Sequence, residues 1–227
     1  MKKVLAALLG LGLVLSLSAC KLEHNSRVKY SQLTGEVTTI EAMAKVEVPN
    51  CHDIKDKTKL SEEIIKTNDL MAKLFPGSEF EGCKNEGIES LAAYTIPMEV
   101  GAIPADAEPN PKGIAIYRHA KGTTFFFIAK EIRERITQAR KNVMTSDLAL
   151  KINVKLSNNT DKQLMLQPIA LFVDGVAYVG NTKNLITVSP SNSVILTLSD
   201  VSSEYAIEHG FTPIFREVKE QPQEVKK

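Results

Sequence analysis

Two stretches alternate apolar and polar residues with a period of two, the spacing of a strand with one dry and one wet face. In "EVTTIEAMAKVEV", residues 36–48, Ile40, Ala42, Ala44, Val46 and Val48 share a face, and Glu41, Lys45 and Glu47 take the other. From Asp147 onward Leu148, Leu150, Ile152, Val154 and Leu156 alternate with Lys151, Asn153 and Lys155.

Other segments carry a different period or break it. "KLSEEIIKTNDLMAKLF" has Leu60, Ile64, Met71, Leu74 and Phe75 at helical spacing, Ser61 at the N-cap position and Pro76-Gly77 as a stop. Strand signals return at Phe80 and in "IESLAAYTIPMEV", where Pro97 marks an edge strand or an irregularity. Residues 34–100 therefore read as a strand–helix–strand–strand unit. Three prolines and two glycines in residues 101–113 read as a linker. Residues 114–216 read as β-rich. They hold a hairpin turning near Lys121-Gly122 and a helix over "KEIRERITQARKNV". Asp174-Gly175 marks a second hairpin, and a turn falls at Ser189–Asn192. A short helix, "VSSEYAIEH", is closed by Gly210, and "TPIFREV" is a last strand. Residues 217–227 read as a disordered tail. The expected fold class is α+β: a small disulfide-tied unit, then an antiparallel, sandwich-like domain with one or two helices.

The chain opens "MKKVLAALLGLGLVLSLSAC". Lys2 and Lys3 precede an apolar run, Val4 to Leu15, that is too short to span a bilayer, which takes about 20 apolar residues. Leu17-Ser18-Ala19-Cys20 resembles the lipobox of bacterial lipoproteins at all four positions. The resemblance covers residues 1–20 and implies removal of residues 1–19 and acylation of Cys20, palmitate included. Several acyl chains give durable attachment. Lys21, rather than aspartate, follows the cysteine, which in such lipoproteins favours outer-membrane sorting. Residues 20–33 then read as lipidated terminus and polar tether.

That compartment bears on "VPNCHD", where Cys51, His52 and Asp53 stand side by side. In an oxidising envelope Cys51 and Cys83 pair as a disulfide. A reactive thiol and a metal site are the alternatives. The first needs a thiolate beside its base, and adjacent residues of an extended chain point apart. The second needs three or four ligands, and no second paired spacing supplies them.

Chemistry beyond this is sparse. Without Lys2 and Lys3 the chain has 26 basic and 27 acidic side chains, a net charge of −1, so it offers no field for nucleic acid. No glycine-rich phosphate loop, nucleophile elbow or H-E-x-x-H helix occurs. His24, His52, His119 and His209 lack metal-ligand spacing. Ser26–Lys29 matches S-x-x-K but falls in the expected tether, and Asn158–Thr160 matches a glycosylation acceptor that reads as a turn. Arg133, Arg140 and Lys141 give the 130–143 helix a basic face, a solvated surface or a contact for an acidic partner or anionic lipid headgroups.

The expectation is a non-enzymatic, outer-membrane-anchored lipoprotein, without cofactor or metal, that binds a protein of the envelope. Size and anchor resemble the small lipoproteins with which mobile elements, phages included, block outer-membrane receptors. The alternatives are an assembly accessory of an envelope complex and a periplasmic ligand-binding module.

Overall fold

A computed structural model describes residues 21–86, 89–141, 148–179 and 184–218. Cys20 and most of the expected tail lie outside these residues.

The first strand, β1 (Lys21–Lys29), occupies what was expected to be tether. Its alternate residues Leu22, His24, Ser26 and Val28 are buried, each 2% exposed or less. Two of those four are polar, so the apolar alternation that betrays other strands is diluted here. Helix α1 (Tyr30–Thr34) follows and buries Tyr30 and Leu33. Next come β2 (Thr38–Val48) and α2 (Glu62–Leu74), whose N-cap Ser61 accepts from the Ile64 amide at 3.2 Å. Strands β3 (Glu79–Glu86) and β4 (Glu89–Ile103) complete the first half. In the second half β5 (Ile114–His119) and β6 (Thr123–Ile128) form the predicted hairpin, and α3 spans Lys130–Arg140. Strands β7 (Ala149–Ser157), β8 (Leu164–Pro168) and β9 (Leu171–Val173) follow. After β10 (Val176–Tyr178), β11 (Ile186–Val188) and β12 (Ser193–Leu198) come α4 (Asp200–His209) and β13 (Phe211–Glu217).

Twelve strands form one path, β10-β9-β12-β7-β1-β2-β4-β5-β6-β13-β8-β11, and β3 joins β4 beside it. β1 pairs antiparallel with β2 and parallel with β7, so it unites the two halves. The expected division at 101–113 gives way to one continuous sheet. Gly101–Ile103 belong to β4, and residues 104–113 carry the chain back to β5, which pairs with β4 in parallel. Pro97 falls where the second neighbour of β4 changes, between the Glu79↔Thr95 pair of β3 and the Met98↔Ile114 pair of β5. That partner change is the irregularity its ring forecast.

The sheet curls until the two ends of the strand order meet. β8 and β9 lie at opposite ends of that order, yet only Ile169 and Ala170 separate them. Ala170 turns the corner at φ +50°, and its carbonyl accepts from Ser202 Oγ of α4 at 2.9 Å. β11 and β12 cross the same gap through the turn at 189–192, so that turn joins strands that pair with β8 and with β7 and β9 rather than with each other. Across the interior the His24 ring of β1 meets Phe126 of β6 edge-on at 5.6 Å, although three strands intervene along the sheet. One apolar cluster fills the inside, from Leu22 on β1 to Phe215 on β13. The coarse α+β expectation holds: the described residues form a single curled sheet with four helices.

The helices sit at the two ends of this curl. α1 follows the last residue of β1, and Gly35 accepts from Ala102 at the far end of β4. Gly101 is required there, because a Cβ would lie 2.5 Å from the Val37 backbone. α2, α3 and α4 touch in series near the start of β1. Arg140 of α3 donates to Leu148 O at 3.0 Å, beside Ala149, the register partner of Lys21.

Candidate functional site

The disulfide between Cys51 and Cys83 is present, with Cα atoms 5.4 Å apart. Cys51 is buried and His52 exposed, so the neighbours do point apart. Their adjacency in sequence assembles no nucleophile, and among the described residues no group of three potential metal ligands gathers. Ser26 and Lys29 also separate: Ser26 faces the interior and donates to Asn153 O at 3.4 Å, while Lys29 is exposed.

The basic face of α3 is partly consumed within the chain. Arg140 forms a two-pronged pair with Glu204 of α4, both contacts 2.7 Å, and that pairing raises its pKa. Arg133 donates to Glu208 O at 2.9 Å and lies against Gly210, the left-handed residue that ends α4. Lys141 is exposed at the helix end. The three line a groove of about 610 Å³ between α3 and α4 together with Glu134, Glu204 and Glu208, so its walls carry both signs of charge.

The outer surface of the sheet holds a more distinctive arrangement. In β6 the residues Thr124, Phe126 and Ile128 face the interior, so Phe125 and Phe127 face outward, where a half-wet strand carries polar side chains. Phe127 packs with Ile103, Ala115 and Tyr117 as a second apolar cluster, separate from the core. Ring contacts then run across the strands. Tyr117 meets Phe127 at 5.4 Å, and Phe125 and Phe127 meet Phe211 of β13 at 6.0 and 6.1 Å. Phe211 meets Tyr205 of α4 edge-on at 6.1 Å, and the His209 ring stacks on Tyr205 at 4.1 Å. The ridge is buried at one end, Tyr117 being 4% exposed, and open at the other, where Phe211 and Tyr205 are 39% and 41% exposed.

Tyr117 anchors the buried end by donating its hydroxyl to Glu99 of β4. Burial, and then the Glu99 carboxylate, push its phenol well above the usual tyrosine range, so it stays a neutral donor. Sequence reasoning missed the ridge. The signal was "TTFFFI": in a strand buried on one face, three successive phenylalanines place at least one on the other face.

Outside the ridge and the groove, the buried side chains of His24, Thr124 and Ser203 carry polar atoms without a hydrogen-bond partner among the described residues. His24 is 1% exposed, and neither ring nitrogen has a hydrogen-bond partner among the described residues. Burial lowers its pKa to about 4. Among the described residues no carboxylate pairs with it, and burial keeps it a neutral core side chain. Thr124 Oγ1 is likewise unpartnered inside the sheet.

These features define an α+β domain with a curled sheet, a stapled loop and an outer aromatic ridge. The chain belongs to the family of DUF7424, a domain of unknown function, which it matches over residues 23–222. The match begins inside β1 and runs past β13, in keeping with one undivided fold. No curated protein and no solved structure matches the chain.

Proposed function

We propose that this chain is a lipoprotein of the bacterial outer membrane, held there through Cys20, that binds a protein of the envelope without turnover. The observation that carries this reading is the open end of the aromatic ridge, where Phe211 and Tyr205 are exposed beside rings already fixed by Phe125 and Phe127. Aromatic side chains on a rigid base lose little entropy on contact and dominate the energetics of protein interfaces. The fit is to an apolar or aromatic segment of the partner. Receptor blocking by a mobile element is one use of such a surface, and the lipobox resemblance of Leu17–Cys20 supports the envelope location.

The test is capture of partners from solubilised outer membrane by the tagged chain and by a Tyr205→Ser/Phe211→Ser variant. Both positions are about 40% exposed, so the variant keeps its fold and its disulfide. Loss of a specific partner, with at least a roughly tenfold drop in affinity for two truncated aromatic contacts, supports the ridge. Equal capture by both places the contact elsewhere. Metabolic labelling with an alkyne fatty acid, lost in Cys20→Ala, tests the anchor.

A further inference from the structure

The segment between β2 and α2, residues 49–60, is a compact projection rather than a slack loop. The Cys51–Cys83 disulfide fixes one side. His52 bridges to Leu60, the Asp53 amide donates to Lys59 O at 3.0 Å, and the Ser61 amide donates to Cys51 O at 3.1 Å. Both aspartates, each half-buried, are engaged by backbone amides. Asp53 Oδ1 accepts from the amides of Lys55 and Asp56 at 2.7 and 3.0 Å, and Asp56 Oδ1 accepts from the amide of Thr58 at 3.1 Å. What remains outside is an apolar tip among lysines. Ile54 is 76% exposed, and Lys55, Lys57 and Lys59 are exposed around it. Lys59 pairs with Asp56 at 3.1 Å, while Lys55 and Lys57 have no ion pair among the described residues.

The position of this projection is fixed by register. Leu22 pairs with Val46, so Lys21 stands level with Glu47, and β2 ends one residue further on, at Val48. The projection leaves the sheet at the level where β1 begins. Cys20 precedes Lys21, and consecutive Cα atoms are about 3.8 Å apart. Because β1 starts at Lys21, no tether separates a lipidated Cys20 from the folded sheet.

We infer that the 49–60 projection is a second, non-covalent membrane contact, seating Ile54 in the headgroup layer of an anionic phospholipid surface with Lys55 and Lys57 on lipid phosphates. An apolar side chain ringed by lysines is the chemistry that such an interface takes up, at a depth of about 5–10 Å. The acyl chains fix the place of attachment, and the projection fixes the tilt of the domain. This inference rests on the anchoring reading, and its test separates the two.

With Cys51 and Cys83 bridged, Cys20 is the one remaining thiol of the three cysteines. The chain from residue 20 is coupled through it to a maleimide-headgroup lipid in phosphatidylcholine–phosphatidylglycerol vesicles. The protein has no tryptophan, so Ile54→Trp installs a single reporter. In vesicles with brominated acyl chains, emission from position 54 is expected to blue-shift and fall about twofold or more, as an indole at headgroup depth does. Val176→Trp, on β10, four places from β1 in the strand order and 62% exposed in the parent, reports a control without that loss. Adding Lys55→Glu and Lys57→Glu abolishes the quenching while the coupled protein stays on the vesicles. Equal quenching at positions 54 and 176 overturns the inference, as does a projection that seats only on a protein partner. Chemical coupling bypasses the cell, so the vesicle result stands whether or not fatty-acid labelling of Cys20 succeeds.

Discussion

The two ends of the curled sheet are closed by different physics. Where β1 begins, closure is apolar and covalent. The Cys51–Cys83 bridge ties the β2–α2 segment to β3, and α2, α3 and α4 lay Ile64, Met71, Ile132, Ile136 and Ile207 against the core. Where β1 ends, closure is polar. The Asn158 amide is fully buried, donates to Lys162 O and Val188 O at 2.8 Å each, and accepts from Thr160. Beside it Asn159 exchanges hydrogen bonds with Ser31 of α1. Arg118 donates to Glu217, which also holds the Tyr30 hydroxyl, and burial followed by Glu217 raises the Tyr30 pKa. An apolar lid tolerates changes of shape that keep volume, whereas a buried polar knot fails when one member leaves and its partners stay dry.

Breaking the covalent side has the largest effect. Cys51→Ser with Cys83→Ser releases a loop closed across 32 residues, and the chain-entropy relation gives a loss of about 3–4 kcal/mol, read as a lowered chemical-denaturation midpoint. The interior shared by both ends responds to pH. Folded His24 takes a proton near pH 4 and unfolded histidine near 6.5. Below pH 6.5 only the unfolded state gains protons, so stability is flat above that pH and falls as the pH drops toward 4, by about 3 kcal/mol in all. Denaturant titrations from pH 7 to 4 read this slope, and His24→Leu removes it. At the polar end, Asn158→Ala removes a donor from Lys162 O and Val188 O and the acceptor of Thr160, and is expected to destabilise by about 2–3 kcal/mol. Glu217→Gln is milder, about 1–2 kcal/mol, because Arg118 and Glu217 are 19% and 22% exposed and water screens the loss. If Glu217→Gln exceeded Asn158→Ala, the ion pair and not the amide would hold that end.

Legibility in the sequence followed the same physics. Strands with an unbroken apolar alternation, β2 and β7, were evident, as were α2 with its Ser61 cap and α4 with its Gly210 stop. β1 was not, because His24 and Ser26 hold interior positions and disguise its period. The parallel pairings β1–β7 and β4–β5 were out of reach, since alternation names a buried face but not a neighbour. For that reason residues 101–113 passed for a boundary instead of a crossover. Arg133 and Arg140 read as a free basic face because Glu204 and the Glu208 carbonyl, which engage them, arrive some 64 and 75 residues later. The aromatic ridge escaped because it is assembled from β5, β6, α4 and β13 and has no single period.

The long reach of β1 shapes how the chain must be made. Among the described strands it comes first in the chain, and β2 soon covers one edge, but the other waits for Ala149, 128 positions after Lys21. Until then the nascent chain carries a bare strand edge, the feature most prone to pair with strangers. Lys21, Glu23, Arg27 and Lys29 line its outward side, and such charge discourages wrong partners until the true one arrives.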